Sequence, residues 1–121
     1  PAWSLLPSLH PIVFDLMRQV EGEHLGGILI TKIAPGGRIE PHSDHGWHPE
    51  FYQKYYLSLK SLPGAVFGCD HDGVVEELNP RPGDVWLFDN SKLHYVRNDS
   101  TGERMTVICC VRTEMYHARF E

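Results

Sequence analysis

The fold class predicted by this sequence is mainly β, and two observations predict it. Eight short segments rich in β-branched and aromatic residues follow one another along the 121-residue chain. The intervals between them are too short to hold the helical crossovers that parallel strands require, so the strands must pair antiparallel. The architecture that satisfies both conditions is a double-stranded β-helix, the cupin-like jelly roll, with one or two short flanking helices.

The individual elements follow from local patterns. Apolar residues recur near helical spacing at residues 8–20 and predict a short helix before the strands. The dipeptide Asp72-Gly73 lies between two apolar segments and indicates a tight hairpin. We expect a single domain in which residues 1–25 form a helical flank, 26–112 the jelly-roll core and 113–121 a tail. The predicted strands are residues 26–33, 38–41, 55–61, 65–69, 74–78, 85–89, 93–97 and 104–112.

Composition narrows the partners. The formal net charge is −5 and Lys and Arg form no cluster, which argues against nucleic acid as the main partner. No apolar run approaches the ~20 residues of a membrane span, so we expect no membrane partner. The three cysteines, Cys69, Cys109 and Cys110, have no disulfide or zinc spacing. They predict reduced apolar fillers and a cytoplasmic protein.

A candidate metal site begins at His42-Ser43-Asp44. Alternate residues of an extended segment point the same way, so His42 and Asp44 would face one ion, and His94 on a neighbouring strand would complete the set. Two imidazoles and one carboxylate leave open positions on an octahedral metal. They suit Fe(II), but also Mn, Co, Ni or Zn. A simple surface hydrogen bond is the alternative, and His45 and His48 crowd the same loop as competing ligands.

Arg104 follows His94 by ten residues and begins an apolar run. A guanidinium there can hold a carboxylate with two parallel hydrogen bonds. Alone, it is better explained as a strand-edge residue paired with Glu103 or Asp99. The ordered combination of His-x-Asp, a distant His and this Arg instead indicates a non-haem Fe(II) oxygenase that uses 2-oxoglutarate.

Two longer segments carry a family resemblance. Residues 34–42, APGGRIEPH, resemble the PG…PH segment of the aspartyl/asparaginyl β-hydroxylase family of 2-oxoglutarate oxygenases. Residues 83–96, GDVWLFDNSKLHYV, resemble its pattern G-x-x-x-x-F-D-[DN]-S-x-x-H. The resemblance spans about residues 26–112, and the second motif is long and specific.

The resemblance implies roles for the site residues. By it, His42 and His94 are the imidazole ligands of Fe(II), and Arg104 binds the distal carboxylate of the co-substrate 2-oxoglutarate. Family members differ at the position of Asp44. Because the carboxylate is present here, we expect Asp44 to be the third metal ligand.

Further expectations concern the surroundings of the metal. Thr31 sits where the family has a hydroxyl contact to the co-substrate, and Lys54 and Tyr56 fall near its other co-substrate contacts. Asn90 and Ser91 are expected to shape the turn before His94. The loop at residues 45–53, with its aromatic side chains, is either a lid or substrate wall, or a loop that merely packs on the barrel.

The reaction implied is O2-dependent hydroxylation of an unactivated C–H bond. The acceptor is a small molecule or a peptide, for instance the β-carbon of an Asp or Asn residue. Two alternatives keep the fold: a cupin-like metal-dependent isomerase or lyase, and a non-catalytic metal- or ligand-binding jelly roll. Arg104 discriminates between the oxygenase and the isomerase or lyase, because its role is to hold a dicarboxylate. The oligomeric state is not predicted.

Overall fold

A computed structural model of the protein describes residues 2–117. It contains eight strands and four helical segments. The helices are α1 (Ala2–Leu5), α2 (Leu9–Gln19), α3 (Trp47–Phe51) and α4 (Glu114–His117). The strands are β1 (His24–Ile33), β2 (Arg38–His42), β3 (Gln53–Lys60), β4 (Ala65–His71), β5 (Val74–Leu78), β6 (Val85–Trp86), β7 (Leu93–Asn98) and β8 (Arg104–Arg112).

The strands form two four-stranded sheets with the orders β1-β8-β3-β6 and β2-β7-β4-β5. Every strand pair is antiparallel. Strands β1 to β4 alternate between the two sheets, so the chain winds from one sheet to the other as it proceeds. This is the double-stranded β-helix, and the predicted fold class is confirmed.

Strand β8 separates two apolar clusters because its side chains alternate between its faces. Val107, Cys109 and Val111 pack with α2 on the outer face of the first sheet. Ile108 points inward and joins the cluster that lies between the sheets, around Phe67. The inner face of β8 therefore borders the interior of the barrel, where Arg104 also lies.

The Asp72-Gly73 hairpin follows the sequence prediction closely. Asp72 has φ 56° and Gly73 has φ 95°, so both residues occupy the left-handed region. Two such residues in a row make the type I′ turn, whose twist matches that of the flanking strands. The turn joins β4 to β5, with His71 paired to Val74.

Two details of the fold prediction were wrong. Strand β6 ends at Trp86 rather than at residue 89. The apolar alternation continues to Phe88, which packs into the inner cluster, but the backbone beyond Trp86 does not pair with β3. Four helical segments are present in residues 2–117 instead of one or two. Only α2 is longer than five residues, and α3 lies in the segment expected to be an irregular loop.

The three cysteines are free and buried. Cys109 lies in the outer cluster and Cys69 in the inner one. Burial raises the pKa of the Cys109 thiol to about 11.

No helix in the described part of the chain is long and apolar enough to cross a membrane.

Candidate metal centre

Three side chains converge where β2 ends and β7 begins. His42 is the last residue of β2 and is the register partner of His94 on β7. Asp44 follows in the loop, two residues beyond the end of the strand. One potential ligand atom from each residue lies within 4.8 Å of the other two. Among residues 2–117 this is the group of His, Cys, Asp and Glu side chains whose spacing suits an ion.

The two imidazoles present the same nitrogen to the centre. Nδ1 of His42 lies 2.9 Å from the Glu40 carbonyl, and Nδ1 of His94 lies 2.9 Å from the Lys92 carbonyl. A carbonyl only accepts hydrogen bonds, so each Nδ1 donates a proton, and Nε2 is the nitrogen left to bind a metal. Both Nε2 atoms point towards Asp44, at 3.8 Å from His42 and 3.9 Å from His94. An imidazole ring that is oriented by a hydrogen bond from Nδ1 to a backbone carbonyl is typical of histidines that ligate metals.

Electrostatics favours the ligating protonation state of His94 and of Asp44. Burial lowers the pKa of His94, which outweighs its hydrogen bond to the Lys92 carbonyl, so the neutral ring is favoured. For Asp44, burial opposes ionisation, but the hydrogen bond and charge of Lys54 outweigh it and the pKa falls below its ordinary value. The centre therefore offers a neutral imidazole from His94 and an ionised carboxylate from Asp44, next to the His42 ring.

Arg104 is buried without a counter-charge. Its residue is only 3% exposed, and it makes no ion pair with a carboxylate of the described chain. Burial lowers the pKa of its guanidinium, opposed by the charge interaction with Tyr56. The acidic residues that a strand-edge arginine would have used are engaged elsewhere. Glu103 pairs with two lysines, and Asp99 with two other arginines.

A cavity of about 150 Å³ connects Arg104 with the three metal-ligand candidates. It lies inside the barrel and receives side chains from both sheets. All seven residues singled out from the sequence line it: Thr31, His42, Asp44, Lys54, Tyr56, His94 and Arg104. Its wall is completed by Ile39, Phe67, Tyr95, Val96, Thr106 and Ile108.

Two contributors to the site were not singled out by sequence reasoning. Thr106 lies two residues after Arg104 on β8, is 2% exposed and lines the cavity beside its register partner Thr31. Strand alternation from Arg104 would have predicted it. Asn90 was expected only to shape a turn, but its amide donates a hydrogen bond to Asp44 over 3.1 Å. No periodic pattern connects residues so far apart in sequence.

The competing histidines of the loop do not reach the centre. His45 shares a hydrogen bond with Ser43, and the His48 ring packs at a tilt against the Tyr52 ring. The loop is packed onto the barrel, where Arg112 lies over the ring of Phe51 at 4.1 Å. Tyr116 also donates a hydrogen bond to a backbone carbonyl of α3. These contacts favour packing over a detached lid, although Trp47 remains 70% exposed.

Comparison with models of protein families matches residues 3–114 to aspartyl/asparaginyl β-hydroxylase. The chain belongs to the aspartyl/asparaginyl β-hydroxylase family. The predicted family is thereby confirmed. No curated protein matches the sequence significantly.

Solved structures share the fold. An oxidoreductase of the 2OG-Fe(II) oxygenase family from Burkholderia pseudomallei is similar with a TM-score of 0.69 and 16% identity, over 84% of this chain and 55% of that one. This β-hydroxylase-family chain thus spans about half the length of that protein. A cupin domain from Bordetella pertussis gives a TM-score of 0.55 at 12% identity, over 75% and 85% of the two chains. A predicted oxalate decarboxylase from Thermotoga maritima gives 0.52 at 18%, over 82% and 73%. At such low sequence identities, the structural similarity establishes the fold and nothing further.

The donor set fits the metal that the family implies. Two imidazole nitrogens and one carboxylate, arranged around one point, form the ligand type of non-haem Fe(II) oxygenases. The second contacts of the histidines, to backbone carbonyls, are those expected for metal-bound rings. These residues are therefore suited to hold a divalent ion such as iron.

Proposed function

We propose that this protein is an Fe(II)/2-oxoglutarate-dependent dioxygenase that hydroxylates an unactivated C–H bond. The observation that carries the proposal is Arg104. A guanidinium buried in a cavity without a carboxylate partner is costly for the protein unless a ligand supplies the anion. A cupin-like isomerase or lyase would need such a residue beside its metal only if its own substrate carried an anionic group.

The proposed role of each metal ligand follows from its atoms. His42 and His94 would bind iron through Nε2, and Asp44 through a carboxylate oxygen. Iron, 2-oxoglutarate and O2 together supply the oxidising chemistry when they are bound. The chain's own residues bind, orient and shield the reactants.

Arg104 would hold the distal carboxylate of 2-oxoglutarate. Its planar fork can donate two parallel hydrogen bonds to one carboxylate. Thr31 and Thr106 are register partners on adjacent strands at the same wall of the cavity. Their hydroxyls are suited to donate further hydrogen bonds to that end of the molecule.

Lys54 and Tyr56 would serve the end of the co-substrate that lies nearer the metal. Burial raises the pKa of Tyr56, so its phenol stays protonated and can donate a hydrogen bond. Lys54 uses one of its three N–H donors on Asp44 and keeps the others for a carboxylate of the keto acid. The aromatic and aliphatic wall around Phe67 and Ile108 would limit the access of bulk water.

The acceptor is proposed from the family. It is the β-carbon of an Asp or Asn residue in a peptide, or a related small molecule. The negative net charge of −5 supports a partner other than nucleic acid.

We further propose that the protein acts in the cytoplasm, away from membranes, as a single oxygenase domain. Free, buried cysteines are compatible with that compartment.

A calorimetric comparison of two keto acids tests the proposal. The Mn(II)-loaded protein would be titrated with 2-oxoglutarate and with 2-oxopentanoate, which has the same carbon chain but lacks the distal carboxylate. We expect 2-oxoglutarate to bind at least ~30-fold more tightly, since losing a buried charge partner costs about 2–5 kcal/mol. Arg104→Ala should remove this preference. Equal affinity of the wild-type protein for both acids would contradict the proposal.

A further inference from the structure

The two carboxylate oxygens of Asp44 have different surroundings. Oδ2 accepts a hydrogen bond from Lys54 Nζ at 2.7 Å and another from the Asn90 amide at 3.1 Å. No described residue donates a hydrogen bond to Oδ1. Distance alone does not choose between them as metal ligands, because Oδ1 lies 3.8 Å from His42 Nε2 and Oδ2 lies 3.9 Å from His94 Nε2.

The hydrogen-bond donors distinguish the two carboxylate oxygens of Asp44. A carboxylate oxygen has two lone pairs, and on Oδ2 both are occupied by hydrogen bonds from within the protein. The bond from Lys54 is charge-assisted and short, so it is the stronger of the two. Oδ1 keeps its lone pairs and lies 3.8 Å from Nε2 of His42.

Asn90 controls the main chain of Asp44 as well as its side chain. The residue is 8% exposed and lies in the segment between β6 and β7. Its backbone carbonyl accepts the N–H of Asp44 at 2.9 Å. Its amide also lies 3.5 Å from the hydroxyl of Tyr56. Asp44 is therefore fixed from two directions by one buried residue that is 46 positions away.

We propose that Asn90 and Lys54 are positioning residues that hold Asp44 as a monodentate ligand, with Oδ1 the oxygen that binds the metal. This inference rests on the proposed function. With three protein atoms bound, a six-coordinate ion keeps three open positions, enough for a bidentate keto acid and O2. A bidentate carboxylate would take a fourth position and leave two.

The number of water ligands on bound Mn(II) tests this directly, with the metal alone and no keto acid. Pulsed electron–nuclear double resonance and line broadening by ¹⁷O-labelled water both report that number. We expect three waters in the wild-type protein and two in Asn90→Ala and in Lys54→Met, because the freed Oδ2 also binds. Asn90→Ala should also weaken Mn(II) binding about 10- to 100-fold, as the loss of a group hydrogen-bonded to a metal ligand does.

Matched variants separate positioning from general damage. Ser91→Ala changes the same turn, but the Ser91 hydroxyl bonds to Asp89 rather than to Asp44. Lys60→Met removes another lysine of β3, one that pairs with Glu103 rather than with Asp44. Both should keep three waters. Lys54→Arg retains a charged hydrogen-bond donor and should keep the three water ligands of the wild-type protein.

Each outcome has a distinct meaning. A wild-type protein that binds no Mn(II) would overturn the proposed metal site and the proposed function with it. Two waters in the wild-type protein, or three in both Asn90→Ala and Lys54→Met, would overturn the positioning roles and leave the proposed function standing. Far-ultraviolet circular dichroism establishes that each variant is folded, and the two variants test the inference independently.

Discussion

Replacing Arg104 with methionine is expected to stabilise the protein when it is free of metal and keto acid. The guanidinium is 3% exposed and has no carboxylate partner among residues 2–117. Exchanging buried charges for apolar side chains of similar size gains about 1–4 kcal/mol. The cavity of about 150 Å³ beside Arg104 is large enough for several waters that hydrate the charge, so we expect the lower half of that range.

Urea denaturation of the metal-free protein measures this effect. A gain of ~1–2 kcal/mol, with an m-value of about 2 kcal/mol/M, raises the midpoint by roughly 0.5–1 M. Arg97→Met is the matched control, because Arg97 pairs with Glu77 and Asp99 and should lower the midpoint slightly. A comparable decrease for Arg104→Met would show that Arg104 supports the fold, and would refute its assignment as a residue kept for an anionic ligand.

Three further predictions concern the metal, acid stability and the fold. His42→Ala combined with His94→Ala should abolish Mn(II) binding in calorimetry, and retained affinity would exclude these ligands. The hydrogen bonds from Arg97 and Tyr95 lower the pKa of Glu77 to about 2, below the ~4.3 of an unfolded chain. Its stabilisation is present above the unfolded value and lost as the pH falls towards 2. Glu77→Gln should therefore lower Tm at neutral pH but not near pH 2, whereas a constant difference would contradict this. Asn98 is fully buried and bonds two backbone carbonyls, so Asn98→Ala should cost ~2–4 kcal/mol in urea denaturation, and a loss below ~1 kcal/mol would contradict it.

Strand alternation and register explain why so much of the site could be predicted. His42 and His94 are neighbours because β2 and β7 pair antiparallel in the second sheet. Arg104 begins β8, a nine-residue strand whose alternation the sequence displays clearly. A period of two residues thus determines which side chains enter the barrel.

Loop geometry explains what could not be predicted. Asn90 bonds to both the backbone and the side chain of Asp44, and nothing local in the sequence indicates that contact. The helix α3 replaces an expected loop because aromatic contacts such as that between Arg112 and Phe51 hold it on the barrel. Strand β6 ends early because the backbone after Trp86 no longer pairs with β3. A pattern of alternating apolar residues does not indicate where such pairing ends.

Anaerobic titration of the Fe(II)-loaded protein with 2-oxoglutarate tests the central proposal most directly. A keto acid bound through two oxygens to a six-coordinate iron gives a weak charge-transfer band near about 500 nm. We predict that the band appears in the wild-type protein and that Arg104→Ala greatly weakens the keto-acid affinity while iron binding is retained. An iron-loaded protein that develops no band would contradict the proposal and favour a cupin-like metalloenzyme or a binding protein.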